Sequence, residues 1–163
     1  MTIRTNHSSR CLASALGFFL ASTWIGWPAD LQSGAVETVL TFVRALEAAD
    51  LDRLLGTFDE KATVFMPIAA PASRLSGRAQ IRQAFDTLFK RAGATGAITP
   101  RDISVQEFGD TAIVTMHLRD IPALPIQEPV IFPRRTFILR RTRNRWLIVH
   151  LHASNLQIPR TAQ

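Results

Sequence analysis

Apolar residues recur at helical spacing in one stretch of the chain and at strand spacing in the next. Val36, Val39, Leu40, Val43 and Leu46 fall at i, i+3, i+4, i+7 and i+10. That is the one-sided stripe of an amphipathic helix starting at Ala35. Asp50 suits the N-cap of a second, short helix, because its carboxylate can accept the free N–H groups of a first turn; Leu51, Leu54, Leu55 and Phe58 give that helix a buried side, and Gly56 predicts an early end. Ser76-Gly77 opens a third helix with Ile81, Ala84, Phe85 and Leu88 inward, Arg78, Arg82, Asp86 and Lys90 outward, and Gly93 as its stop.

Between the second and third helices, residues 62–68 (ATVFMPI) are β-branched and aromatic and read as a strand closing at Pro67. From about Ile98 the period changes to two. Residues 102–108, a Gly109-Asp110 turn and residues 111–119 predict a hairpin. A connection containing Pro122, Pro125 and Pro129 leads to strands over 130–141 and 145–156, joined at 142–144; Pro133 predicts a bulge or an edge position. Helix, helix, strand, helix and four strands in meander make an α+β fold, with helices gathered on one side of a curved antiparallel sheet.

The length of 163 residues suits one domain, and 47% apolar with 20% charged residues is ordinary globular composition. The formal charge is +6, yet the 19 basic residues are spread along the chain rather than blocked. Arg134, Arg135, Arg140, Arg141, Arg143 and Arg145 bracket a hairpin whose alternation sends them to both faces, so no nucleic-acid partner is expected. Ahead of the domain, Arg4 and Arg10 precede an uncharged apolar run at 11–27. Residues 1–35 therefore read as a signal peptide, cut after Ala29 or Ala35, or as an uncleaved N-terminal anchor. Either layout predicts a periplasmic, secreted or membrane-anchored extracytoplasmic domain, in contact with a membrane only through that segment. The single cysteine, Cys11, lies in the run, so thiol chemistry and disulfides are not expected of the domain.

With RLSGRAQIRQAF (74–85) and RWLIVHLHASNL (145–156), the order of elements resembles the SnoaL-like branch of the nuclear transport factor 2-like (NTF2-like) superfamily over 36–156. The last strand is similar to that of the calmodulin-dependent kinase association domain and its bacterial relatives, a Trp followed by His-x-His-x-Ser; here these are Trp146, His150, His152 and Ser154. The resemblance implies a cone-shaped fold of three N-terminal helices on a curved, mostly antiparallel sheet, with a C-terminal tail at 157–163. It also implies that the histidine-bearing face lines the interior, and that no cofactor or metal is needed.

Strict alternation puts Trp146, Ile148, His150, His152 and Ser154 on one face of the last strand and Leu147, Val149, Leu151 and Ala153 on the other. Two imidazoles and a hydroxyl in one interior suggest a polar pocket, since an unsatisfied buried polar group costs about 1–3 kcal/mol. Knitting the sheet to the helices through backbone carbonyls is the structural alternative. Arg135 is a candidate partner for an anionic ligand, whereas position 137, where relatives often carry an arginine, holds Phe137. His117 completes the histidines of the domain, and three imidazoles can form a zinc site, although no third-ligand geometry or second shell is identifiable. Phe65, Met66, Phe85, Phe137 and Trp146 are candidate apolar walls or core residues.

The superfamily's isomerases use an Asp before the proline of the first strand and a Tyr. Here Met66 precedes Pro67 and the chain has no Tyr, so that mechanism is absent as usually built. The expected function is therefore binding of a small, partly apolar molecule. The alternatives are a cyclase, isomerase-like enzyme or hydrolase with His150 or His152 as acid/base, or a dimerisation module pairing through an outer face with Leu147, Val149 and Leu151. A homodimer is expected in any of these cases.

Overall fold

A computed structural model describes residues 33–66, 74–94, 96–119 and 130–158. Three helices, α1 (Gly34–Glu47), α2 (Leu51–Leu55) and α3 (Arg78–Ala92), pack on a sheet of six strands: β1 (Phe58–Phe65), β2 (Arg74–Ser76), β3 (Thr99–Phe108), β4 (Thr111–Arg119), β5 (Val130–Thr142) and β6 (Arg145–Ile158). The strand order is β2-β1-β6-β5-β4-β3, antiparallel except where β1 runs parallel to β6. This is the expected α+β arrangement with its C-terminal meander. The apolar run at 11–27 and the Pro-rich connection lie outside the described residues.

Ser33 caps α1, its Oγ accepting from the N–H groups of Ala35 (3.1 Å) and Val36 (3.4 Å), which satisfies donors that a helix start leaves free. The helix therefore begins inside the segment expected to be removed or anchored. A cut after Ala29 preserves the cap, whereas one after Ala35 would delete it. Gly34 is required by close approach, because a Cβ there would lie 2.9 Å from the Trp146 ring. Thr38 Oγ1 also donates to the Trp146 carbonyl (3.2 Å), so Trp146 pins the first turn of α1 to the start of β6.

Phe58, expected on α2, instead opens β1: α2 stops at Leu55 with Gly56 as its C-cap. Gly56 and Thr57 turn the chain, and Phe58 becomes strand because it pairs with Ile148 of β6 and packs edge-on to Phe42 at 5.8 Å. Arg78, expected to face solvent, folds back onto β1. Its Nη2 donates to the Phe58 carbonyl (2.6 Å) and its Nη1 pairs with Glu60 (2.6 Å), which fixes the start of α3. The core is an aromatic cluster of Phe42, Phe58, Phe85 and Phe137, ringed by Val36, Val39, Leu54, Ile81, Val114, Leu139, Ile148 and Leu151. Each such side chain contributes about 1.5–3 kcal/mol through burial, and the edge-to-face contacts add somewhat more.

Pro133 follows its expected edge role. β4 pairs with β5 only as far as His117 opposite Arg134, so Pro133 faces Asn155 of β6 and has no described partner on its other side. Two bulges matter more. In β3 the register shifts between Arg101 and Ser104, with Asp102 in the left-handed region at φ 51. Between β5 and β6, Ile138 faces His150 but Leu139 faces Ile148, leaving Val149 as an extra residue. Because strand side chains alternate with period two, one inserted residue reverses the faces of everything beyond it. Trp146 and Ile148 point inward, and so do Leu151 and Ala153; His150, His152 and Ser154 point outward. The histidine face thus lies on the outside of the sheet. Of the three residues expected there, only Leu147 shares it, since Leu151 is in the core and Val149 sits in the bulge.

Candidate functional site

On the inner face, toward the end of the sheet remote from Trp146, Arg135 is the polar exception. Its cross-strand neighbours are Met116 and Ala153, both buried, and Phe137 lies two positions along β5 on the same face. The Arg135 Nη1 donates to the carbonyls of Arg134 (2.8 Å) and Ser154 (3.2 Å). Both partners are neutral, and among the described residues no carboxylate pairs with it. Burial lowers its pKa from 12.5 to about 10, because removing a cation from water without a counter-charge favours the uncharged form. At neutral pH the group nonetheless remains a cation. A guanidinium carries five N–H donors in a planar fork; here its Nε and Nη2 make no hydrogen bond to the described residues, which leaves one edge able to take a bidentate oxyanion.

The outer face collects the other polar candidates. His150 Nδ1 lies 2.7 Å from Thr63 Oγ1 across the parallel β1–β6 pair. Phe65 stands over both histidines, with its ring centroid 5.9 Å from that of His150 and 6.1 Å from that of His152. The pKa of His150 is lowered from 6.5, first by burial and then by repulsion from His152. Two strands away, His117 Nδ1 meets Asp102 Oδ2 at 3.0 Å. Ser154 is paired opposite Arg134 on the same outer side.

The residues proposed for one pocket therefore separate. Arg135, Phe137 and Trp146 belong to the interior, with Met66 half-buried against the core; Phe65, His117, His150, His152 and Ser154 belong to the outer surface. Within the interior set, Phe137 is fully buried against Phe42 at 5.4 Å and acts as core, and Trp146 serves the α1 junction with Arg141 over its ring at 5.4 Å. Phe85 is likewise core. Among the described residues no group of three His, Cys, Asp or Glu is placed to hold a metal ion.

Reading the sequence by strict alternation missed the bulge, yet a signal was present. The apolar residues of the last strand jump from Trp146 and Ile148 to Leu151 and Ala153, an odd step of three, which a regular strand cannot place on one face. Asp102 and Thr63 were also missed. Their roles arise from partners 15 and 87 residues away, which no local pattern reports.

The sequence profile of the SnoaL-like domain matches residues 36–159. Solved structures of the same fold include a candidate dehydratase of the NTF2-like family from Streptomyces avermitilis, with TM-score 0.63 and 21% identity over 79% of this chain and 99% of that one. A candidate ketosteroid isomerase from Shewanella frigidimarina matches with TM-score 0.62 and 17% identity, over 76% and 97% of the two chains. A candidate aromatic ring hydroxylase from Novosphingobium aromaticivorans gives 0.64 and 19%, over 82% and 94%. At these identities the likeness is one of fold. No curated protein matches the sequence.

Proposed function

The chain belongs to the SnoaL-like domain family, and on that premise we propose that it binds, in the interior of its cone, a small molecule with an apolar body and an anionic end. The observation that carries this reading is Arg135, a desolvated cation among apolar neighbours, held by neutral carbonyls and with part of its donor fork uncommitted among the described residues. A half-buried cation with no carboxylate partner among the described residues is costly for the fold, and an entering carboxylate would supply the missing charge. A histidine-based acid/base mechanism in that interior has less support, because His150 and His152 face the other way.

Thermal shift and native mass spectrometry on the full chain with aliphatic and aromatic carboxylates test this reading. Carboxylates should raise Tm, and the matching primary alcohols should not. Arg135→Met should abolish the shift while leaving the ligand-free protein as stable or about 1 kcal/mol more stable, as is common when an unneeded buried charge is replaced by an apolar side chain of similar size. Equal shifts from alcohols, or unchanged carboxylate binding by Arg135→Met, would overturn it.

We also propose that two copies pair through the outer face. Phe65 is 40% exposed there despite its size, and Ile138 and Ile113 lie half-buried on the same side, on β5 and β4 beyond β6. Sedimentation at micromolar concentration should give a dimer that Phe65→Glu shifts toward monomer; a wild-type monomer would refute the pairing.

A further inference from the structure

We propose that Arg101, His117 and Arg134 form a binding site for a phosphate group on the outer face, separate from the interior site of Arg135. The three residues are direct neighbours across β3, β4 and β5: Arg101 faces His117, and His117 faces Arg134, with Ser154 of β6 next in the row. Adjacent strands lie about 4.8 Å apart, so the two arginine backbones are about 10 Å apart with the imidazole between them. Long guanidinium side chains can close over an ion seated at that spacing. Both arginines are exposed, and neither pairs with a carboxylate among the described residues.

The imidazole is held in one orientation. An ionised carboxylate only accepts hydrogen bonds, so the 3.0 Å contact to Asp102 requires the proton on His117 Nδ1. In the neutral ring Nε2 is then the acceptor nitrogen, on a side chain that is 44% exposed. Asp102 reaches this position because the β3 bulge puts it at φ 51, a left-handed conformation that Asp tolerates better than most residues but that still carries strain. Bulges commonly re-aim a side chain in this way. Asp102 is accordingly a positioning residue.

These groups match the chemistry of phosphate. Hydrogen phosphate or a singly protonated phosphate monoester carries one O–H that can donate to Nε2, while its remaining oxygens accept from the two guanidinium groups. When His117 is protonated, the same proton lies on Nε2 and the fully ionised group fits instead. Sulfate carries no proton near neutrality, so it cannot satisfy the neutral ring.

The test is NMR titration of the full chain at pH 8 with inorganic phosphate, phenyl phosphate and sulfate, following the His117 ring. We expect saturable shifts with inorganic phosphate and about tenfold weaker binding of sulfate and of phenyl phosphate, whose dianion carries no O–H at pH 8. Arg134→Gln and Arg101→Gln should each weaken phosphate binding by about tenfold or more. Asp102→Asn should mix the His117 tautomers in 15N spectra and weaken phosphate toward the level of sulfate, a change that a merely structural role would not produce. Arg135→Met should leave this site intact, so failure here and failure of the interior reading are distinguishable. Comparable response to sulfate, or binding that survives Arg134→Gln, would overturn the proposal. So would association with phosphatidic acid vesicles without any response to inorganic phosphate, which would point to diffuse attraction to a lipid surface.

Discussion

The inner face of β4, β5 and β6 carries Met116, Phe137, Leu139, Ile148 and Leu151, with the charged Arg135 among them; the outer face of the same strands carries His117, Arg134, Thr136, His150 and His152, with Ile113 and Ile138 among them. Each face is thus informative through its exception. An arginine among buried apolar residues bears a desolvation cost that packing does not explain, and two half-buried isoleucines on the same side as an exposed Phe65 leave apolar surface that folding alone does not cover. What separates the faces is one residue, the inserted Val149.

Deleting Val149 together with His150 breaks the comparison most severely. With β5 register kept, Leu151 would then follow Ile148 and turn outward, and His152 would turn inward. A buried imidazole at about 1–3 kcal/mol, with about 2 kcal/mol of lost leucine burial, would consume much of a typical 5–15 kcal/mol stability. Deleting Val149 alone should leave both faces in place, because Ile148 and His150 already oppose Leu139 and Ile138. Circular dichroism should show loss of cooperative unfolding only for the double deletion; a native-like Tm there would mean that register does not set the faces.

A smaller perturbation compares neighbours on β5. Phe137→Ala should cost about 3–5 kcal/mol in urea denaturation, because it opens a cavity beside Phe42. Thr136→Ala, one position away on the outer face, should stay within about 1 kcal/mol. Similar losses at both positions would erase the distinction between core and surface.

The smallest effect is expected at His150. Its folded pKa lies below 6.5, so as pH falls through 6.5 the unfolded chain takes up a proton before the folded one does. Stability therefore rises with pH across the window between the lowered value and 6.5, and this contribution is flat above it. The Tm of wild type should fall more than that of His150→Gln between pH 7.5 and pH 5.5. Parallel curves would show that the burial and the His152 repulsion have no energetic consequence.

Much of this architecture was readable from local pattern. The stripe from Val36 to Leu46 produced α1, Asp50 and Gly56 bounded α2, Gly93 stopped α3, and the Gly109-Asp110 turn joined β3 to β4. These features depend on residues within a few positions of one another, through backbone conformation and caps, and a sequence displays such relations directly. Phe58 was misplaced because helix and strand periodicity both accept an apolar residue there, and its partner Ile148 lies far along the chain.

The chain by itself determined the fold class, the order of the elements, the absence of a tyrosine and the pool of residues able to do chemistry. Which of those residues meet was decided only in the tertiary structure. The bulge at Val149 and the left-handed Asp102 are settled by pairing with neighbouring strands, where hydrogen-bond register and core packing outweigh local preference. For that reason His150 and His152 face outward and Arg135 inward, although alternation along β6 alone assigned the histidines to the interior.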